Sequence, residues 1–169
     1  LREEVERTGA ILHRLTDLRR VASNDTQGAD INREISSLVT LYRSSLFLTH
    51  DTQCTLDLDP ELKPHRISSH ALRQILTNLI KNAVEAMPMG GALTLATRHN
   101  VNVDGKDFVE ILVQDHGPGI PDTVLRNLFK PVTSTKGDRH SGLGLSITRN
   151  LIKDAQGTIR CRSGSKGTE

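Results

Sequence analysis

Five polar side chains with the chemistry of a binding site recur at helical spacing between residues 72 and 87. They occupy one column of a predicted helix, at positions i, i+4, i+7, i+8 and i+11: Gln74, Asn78, Lys81, Asn82 and Glu85. Asn is a mediocre helix former, so two of them one turn apart lower the helix propensity. The column therefore indicates either a ligand-binding surface or a surface helix that happens to contain two Asn.

A carboxylate precedes the first glycine-rich stretch of the chain. Asp115 follows a predicted buried strand and leads into Gly117-Pro118-Gly119-Ile120. A carboxylate held there can accept a hydrogen bond from the exocyclic amino group of adenine, and glycines without a Cβ let the backbone approach the ring. Guanine carries an oxygen at that position, so the motif predicts a preference for adenine. The alternative for this motif taken alone is a strand-end turn without a ligand.

A second glycine-rich stretch, Gly142-Leu143-Gly144-Leu145, opens a predicted helix. Free backbone N–H groups and the helix dipole at such a start attract anions such as phosphates. The loop just upstream carries side chains that could cover those phosphates: Thr133, Ser134, Thr135 and Lys136. Neither glycine stretch has the third glycine of a dinucleotide fingerprint or the Gly-Lys-Ser/Thr of a P-loop. We therefore expect a different scheme of nucleotide binding.

The polar column supplies the metal ligand that a phosphate site needs. The amide oxygen of Asn82 is a hard, neutral ligand suited to Mg²⁺ that bridges phosphates. Lys81 can add positive charge, and Asn78 or Glu85 can hold waters. Together with the two glycine stretches, the column indicates a site for an adenine nucleotide and Mg²⁺.

The helix that presents this column has an apolar face for a core. The apolar residues recur every three or four positions: Leu72, Ile75, Leu76, Leu79, Ile80, Ala83 and Ala86. Ser68 or Ser69 can cap its start, and Pro88 with Gly90-Gly91 ends it.

Further predicted elements surround this helix. Asp30 caps a helix that buries apolar residues at helical spacing: Ile31, Ile35, Leu38, Val39, Tyr42 and Leu46. Alternation predicts strands over residues 54–58 and 159–162, and residues 92–97 and 108–114 read as two antiparallel strands joined around Asp104-Gly105. A helix over 143–155 carries Ile147, Leu151 and Ile152 inward. Residues 115–141 form a long loop, which in a compact domain is usually functional.

Composition excludes several classes of protein. The 169 residues carry a formal net charge of +2 with 25% charged residues, so no basic field for a nucleic acid is present. Cys54 and Cys161 lie far apart without a C-x-x-C spacing, which disfavours a disulfide framework or a zinc site and favours a cytoplasmic setting. No apolar run reaches the roughly 20 residues that span a bilayer.

The first residues read as a separate helix. Ile11, Leu15, Leu18 and Ala22 form a stripe that requires a helical partner, either upstream or on a second copy of the chain. The chain begins at Leu1 inside this helix, and we expect a fragment of a longer protein whose missing parts include any membrane or sensor segments. The predicted domains are a helical segment over 1–23, a linker over 24–30 and a globular domain over 31–169.

Four stretches in order, NLIKNAVEAM, DHGPGI, LFKPVTSTK and SGLGLSI, closely resemble the N, G1, F and G2 boxes of the catalytic ATP-binding domain of two-component sensor histidine kinases. This domain belongs to the superfamily of gyrase, Hsp90, histidine kinase and MutL ATPases. The resemblance implies an α/β fold, a two-layer sandwich of a mixed, largely antiparallel sheet with helices on one face (the Bergerat-type ATP-binding fold), and a long loop that acts as a lid over ATP. The segment 1–23 then resembles the second helix of the dimerisation and phosphoacceptor hairpin.

The resemblance also implies roles for single residues. Asn82 is the Mg²⁺ ligand, Asp115 the adenine anchor, and Gly117 and Gly119 the hinge of the lid. The other nucleotide contacts come from the same boxes: Asn78, Glu85, Ile120, Thr135, Lys136, Gly142, Leu143, Gly144 and Leu145. Asn78 and Lys81 are the catalytic candidates. Asn78 stands where ATP-hydrolysing relatives carry a catalytic Glu, which favours phosphoryl transfer to a protein over attack by water.

The resemblance implies a kinase that lacks its acceptor within this chain. An acceptor His on the first hairpin helix is followed by an acidic residue and then a Pro, and none of the seven His has that context: His13, His50, His65, His70, His99, His116 and His140. The expected partners are the phosphoacceptor hairpin, a response-regulator receiver domain and a second copy of the full-length chain. The alternatives are an ATP-hydrolysing member of the superfamily and a degenerate nucleotide-sensing module.

Overall fold

Five strands form one mixed sheet in the computed structural model, which describes residues 28–103, 105–129 and 144–169. The strands are β1 (Thr52–Asp57), β2 (Gly91–Val103), β3 (Lys106–Asp115), β4 (Ser163–Gly164) and β5 (Gly167–Thr168). The helices are α1 (Ile31–Tyr42), α2 (Ser69–Glu85), α3 (Asp122–Leu125) and α4 (Gly144–Asp154), and a π-helical turn, Arg43–Phe47, follows α1. The sheet order is β1-β2-β3-β5-β4, with β1 parallel to β2 and the other pairs antiparallel. The predicted α/β sandwich with a largely antiparallel sheet is confirmed.

Helix α2 is the central element of the helical layer. The Ser68 hydroxyl accepts a hydrogen bond from the backbone N–H of Ala71 at 3.1 Å and caps the helix as predicted. Its buried residues are Leu72, Ile75, Leu76, Ile80, Ala83 and Val84. Leu79 and Ala86, also predicted inward, are only half-buried. Full burial of a side chain such as Leu76 contributes about 1.5–3 kcal/mol, so this face holds the helix on β2 and β3.

Helix α1 packs beside α2 and begins where the sequence predicts. The Asp30 carboxylate accepts a hydrogen bond from the Arg33 backbone N–H at 3.0 Å. Ile31, Ile35 and Leu38 are buried. An ion pair of 2.7 Å joins Glu34 on α1 to Arg73 on α2, and it is exposed enough to contribute little stability on its own.

The predicted antiparallel pair is confirmed as β2 and β3, which are longer than the alternation indicates. Gly105 in the connecting turn has a φ of 77°, a left-handed conformation that favours glycine. The register shifts between Arg98 and Val101, where Asn100 has a φ of 53°. This irregularity breaks the alternation, which explains why the sequence pattern stops near residue 97.

The predicted final strand over residues 159–162 is wrong. The chain there is irregular, and the sheet instead receives the short hairpin β4–β5, whose Thr168 pairs with Asp115 at the end of β3. Gly167 has a φ of 121°, which a residue with a side chain rarely adopts, and this allows a tight turn after Gly164. The turn between Gly164 and Gly167 thus determines which residues of β4 and β5 pair with each other.

The predicted linker over 24–30 is also wrong at its end. Ala29 is 1% exposed and exchanges two backbone hydrogen bonds of 2.9 Å with His65, so residues 28–30 belong to the domain. The rest of the predicted linker and the predicted hairpin helix over 1–23 lie outside the described residues. None of the helices in the described ranges has the length and apolar character that crossing a bilayer requires.

A buried polar network joins α1 to the sheet. Thr97 on β2 is 0% exposed. Its hydroxyl donates to the side-chain oxygen of Asn32 and accepts from the backbone N–H of Asp59, both at 2.9 Å. The Asn32 amide in turn donates to the Asp59 carbonyl at 2.7 Å. The Thr97 hydroxyl therefore satisfies the side-chain oxygen of Asn32 on α1 and the backbone N–H of Asp59 after β1.

We expect Thr97→Val to lower the free energy of unfolding by about 1–3 kcal/mol, because it keeps the shape but leaves the Asp59 N–H without its acceptor. Urea denaturation followed by circular dichroism measures this change. Thr55→Val, at an exposed position of β1, is the matched control and should change stability by less than about 0.5 kcal/mol. Equal losses of unfolding free energy in the two variants would show that the network does not contribute to stability.

Candidate functional site

Helix α2 contacts both glycine-rich stretches of the chain. Asn78 in its middle reaches the first residue of α4, Gly144. Ala86 and Met87 at its end lie against Gly117, the first glycine after β3. Eight residues separate Asn78 from Ala86, so the two contacts are about 12 Å apart along the helix. The polar column therefore runs between the two stretches that the sequence assigns to the base and to the phosphates.

Asp115 ends β3 as predicted and is only 6% exposed. Its Oδ1 atom accepts a hydrogen bond from the backbone N–H of Gly117 at 2.9 Å, and Oδ2 has no hydrogen-bond partner among the described residues. A Cβ at Gly117 would lie 2.9 Å from Oδ1 and 3.0 Å from the carbonyl oxygen of Ala86. Glycine is thus required for the close approach of this loop to α2. The arrangement leaves one oxygen of a buried carboxylate available to a donor.

The loop after Asp115 is attached to the β4–β5 hairpin. Gly119 has a φ of 80°, and a Cβ there would lie 2.1 Å from the carbonyl oxygen of Gly164. The next residue, Ile120, donates its backbone N–H to the Ser163 hydroxyl at 2.7 Å. Both glycines of the predicted motif are therefore needed for backbone contacts, one against α2 and the other against the hairpin.

Asn78 joins α2 to α4. Its side-chain amide donates to the carbonyl oxygen of Gly144 and to the hydroxyl of Thr148, both at 3.2 Å. Thr148 is 0% exposed, so this contact is part of the interface between the two helices. Asn78 thus holds the start of α4 against α2, a structural role that the sequence did not predict.

We expect Asn78→Ala to lower the free energy of unfolding by about 1–2 kcal/mol, because two hydrogen bonds between helices are lost. Chemical denaturation gives the value. Gln74→Ala, one turn earlier on the same half-buried face of α2, is the control for helix propensity and truncation and should change stability by less than about 0.5 kcal/mol. If the Asn78 variant is as stable as this control, the contact with α4 does not stabilise the domain.

The remaining column residues lie on the accessible side of α2. Asn82 is half-buried and its side chain makes no hydrogen bond to the described part of the chain. Lys81 is exposed and Glu85 is half-buried. Leu145, the predicted contact on the neighbouring helix α4, is also half-buried. The Asn82 amide therefore offers an oxygen ligand between the two glycine stretches.

The donor set in the described ranges suits a metal that arrives with phosphates. No group of three His, Cys, Asp or Glu side chains is placed there to bind a metal ion by itself. Mg²⁺ usually keeps several waters and takes one or two protein ligands together with substrate phosphates. The Asn82 amide fits that pattern, and the buried Asp115 carboxylate beside Gly117 fits an amino-bearing base.

The two cysteines do not supply a nucleophile. Burial raises the pKa of the Cys161 thiol, and the negative charge of Asp115 raises it further. Burial raises the pKa of Cys54 to about 11. A thiol with a raised pKa stays protonated at neutral pH, and only the thiolate attacks. Neither Cys54 nor Cys161 is therefore set up for nucleophilic attack at neutral pH.

Some predicted site residues lie outside the described residues, namely Thr135, Lys136, Gly142 and Leu143. The structure brings together Asn78 and Gly144 at the middle of α2, and Asp115, Gly117, Gly119 and Ile120 near its C-terminal end. Sequence reasoning missed Thr148 and the hairpin residues Ser163, Gly164 and Thr168. The glycines of the stretch Gly164-Ser165-Lys166-Gly167 were the available signal for that hairpin.

The histidine kinase-, DNA gyrase B- and HSP90-like ATPase family matches residues 67–169. Sporulation kinase A of Bacillus subtilis is 41% identical over 98 residues, which cover 57% of this chain and 15% of that protein. The sensory histidine kinase/phosphatase NtrB of Salmonella typhimurium is 36% identical over 131 residues, 74% of this chain and 37% of its own length. The chain therefore spans well under half of these curated relatives.

A solved structure has the same fold. The nucleotide-free catalytic domain of histidine kinase ThkA superposes with a TM-score of 0.68 at 27% sequence identity, covering 82% of this chain and 88% of that domain.

Proposed function

Because this chain belongs to the family of histidine kinase-, DNA gyrase B- and HSP90-like ATPases, we propose that it is the ATP-binding kinase core of a sensor histidine kinase. It transfers the γ-phosphoryl group of Mg·ATP to a histidine outside these residues, for two-component signal transduction. The observation that carries the proposal is the position of α2, which presents Asn82 between the buried Asp115 carboxylate and the start of α4.

The residues at the base end would bind and select adenine. The free Oδ2 atom of Asp115 accepts a hydrogen bond from the exocyclic amino group, since Oδ1 is occupied by the Gly117 N–H. Gly117 and Gly119 keep the loop close to α2 and to the hairpin, and so hold it in place beside the carboxylate.

The residues at the phosphate end would orient the triphosphate. Asn82 would hold Mg²⁺, which would offset the negative charge of the phosphates. Lys81 adds positive charge to the same side of α2. The start of α4 offers N–H groups to anions, and Asn78 holds that start in place. Phosphoryl transfer depends mainly on such positioning and charge stabilisation, so these groups suffice for catalysis.

Asn78 favours transfer to a protein over hydrolysis. A side-chain amide has no basic atom that could take a proton from an attacking water. In this structure the amide is also engaged with Gly144 and Thr148. A sustained release of phosphate from ATP would therefore speak for the superfamily's hydrolytic branch instead.

The proposed partners follow from the transfer reaction. The acceptor is a helical hairpin of the same or a partner chain, to which residues 1–23 contribute the second helix. A response-regulator receiver domain takes the phosphoryl group next, and the full-length protein forms a homodimer. The core works in the cytoplasm, whether or not the full-length protein is anchored in a membrane.

The proposal is tested by incubating the chain with γ-labelled ATP, Mg²⁺ and a separately purified hairpin that carries the acceptor His. We expect label on the hairpin and none on the chain alone. Label on the chain alone would reveal an acceptor among its seven His, and absence of label on the hairpin together with steady phosphate release would contradict kinase activity.

A further inference from the structure

The β4–β5 hairpin contacts both ends of the loop between Asp115 and Ile120. At the start of the loop, Thr168 pairs with Asp115, and a Cβ at Gly167 would lie 2.0 Å from the Asp115 carbonyl oxygen. At its end, Gly119 packs directly on Gly164. The hairpin therefore braces the loop that carries the carboxylate on two sides.

One hydroxyl connects the far end of this loop to the hairpin. The Ser163 Oγ atom accepts the backbone N–H of Ile120 at 2.7 Å. It also lies 2.9 Å from the hydroxyl of Thr168 and 3.5 Å from the Gly167 carbonyl, either of which can take its proton. A hydroxyl can accept and donate at once, which neither an alanine nor an aliphatic side chain can do.

The loop between these anchors carries the contact that orients the carboxylate. The Gly117 N–H holds Oδ1 of Asp115, and Gly117 lies only three residues before Ile120. If the Ile120 N–H loses its acceptor, the loop gains freedom at its end while Asp115 remains fixed in β3. The direction of the Gly117 N–H, and with it the direction of Oδ2, then becomes less defined.

We propose that Ser163 is a positioning residue for base recognition, whose hydroxyl holds the loop so that the Asp115 carboxylate faces the bound base. This inference rests on the proposed function, because it assigns adenine to Asp115. It goes beyond that function by giving the β4–β5 hairpin a part in choosing the nucleotide.

The test compares the affinities of ADP and GDP by calorimetry for the parent, Ser163→Ala and Ser163→Thr. Ser165→Ala, at an exposed position in the turn of the same hairpin, is the matched control. We expect Ser163→Ala to weaken ADP about fivefold, the factor that one lost hydrogen bond gives, and to leave GDP unchanged. The ratio of the ADP to the GDP dissociation constant then rises, whereas Ser163→Thr keeps the hydroxyl and should return the ratio to near the parent value.

Amide hydrogen exchange of Ile120 without nucleotide provides a second measurement. Exchange should be faster in Ser163→Ala than in the parent, and unchanged in Ser165→Ala. If Ser163→Ala does not fold by circular dichroism, Ser163→Cys keeps the side-chain volume with a weaker acceptor and serves in the same comparison.

An unchanged ADP to GDP ratio of dissociation constants in folded Ser163→Ala overturns the proposal, as does unchanged exchange of Ile120 in that variant. An equal loss of affinity for both nucleotides also overturns it, because that is the result of general destabilisation. If the parent binds no ADP, the proposed function fails, and Ile120 exchange then still decides whether Ser163 anchors the loop.

Discussion

Asp115→Asn is expected to raise the dissociation constant for ADP about 10- to 150-fold, the equivalent of the roughly 1.5–3 kcal/mol that a hydrogen bond to a charged group contributes. The Gly117 N–H determines how the new side-chain amide is oriented. It bonds the atom at the Oδ1 position, so the amide oxygen of the variant must occupy that position. The amide NH₂ then faces the base. Because this NH₂ and the exocyclic amino group of adenine are both hydrogen-bond donors, no hydrogen bond can form between them.

The same geometry predicts a change of specificity. The NH₂ group that the Asp115→Asn substitution introduces can donate to the oxygen that guanine carries in place of the amino group, so GDP should bind no worse than to the parent. Calorimetric titration with both nucleotides measures this inversion. Asp122→Asn, at an exposed residue at the start of α3, is the control and should leave both affinities unchanged. Equal binding of ADP to parent and Asp115→Asn would remove Asp115 from the base site.

Asn82→Ala is expected to reduce the rate of phosphoryl transfer about 100- to 1,000-fold, the usual effect of deleting one group that stabilises charge in a transition state. The Asn82 side chain has no hydrogen bond to the described residues, so its removal should cost little stability. Binding of ADP in the presence of EDTA should remain near that of the parent, because the base end of the site is intact. The defect should therefore appear only in measurements that depend on Mg²⁺.

Transfer of label from ATP to the hairpin at several Mg²⁺ concentrations measures this defect. Asn150→Ala on α4 is the matched control, since it removes an Asn from an exposed helical position. A variant at Asn82 that transfers phosphate at the parent rate would show that another residue binds the metal.

Much of the site's framework could be predicted from the sequence because it depends on local patterns. The apolar spacing of α2 and the hydroxyl of Ser68 determine the face and the start of that helix. Asp115 ends a strand whose apolar run is visible in the residues before it. These features arise from neighbours within a few positions, which is the range that periodicity and capping rules describe.

The parts that sequence reasoning missed depend on contacts between distant residues. The Asn78 amide bonds Thr148, 70 positions away, and Ser163 bonds Ile120, 43 positions away. The β4 and β5 strands have two residues each, too few for any alternation, and they exist because they pair with each other and with the end of β3. The predicted strand over 159–162 followed an alternation, but in the described fold residues 159–161 lie in no strand, and Arg162 exchanges two backbone hydrogen bonds of 2.8 Å with Glu169.

The most direct test of the nucleotide site follows backbone amide signals by NMR while a non-hydrolysable ATP analogue and Mg²⁺ are added. We predict that the amides of Gly117, Gly119, Ile120 and Gly144 shift, whereas the amide of Gly105, in the open turn at the far end of β2 and β3, does not. Saturable shifts both at Gly144 and in the loop from Gly117 to Ile120 would confirm that one ligand spans the two glycine stretches. No shifts, or shifts confined to residues away from α2, would contradict the account.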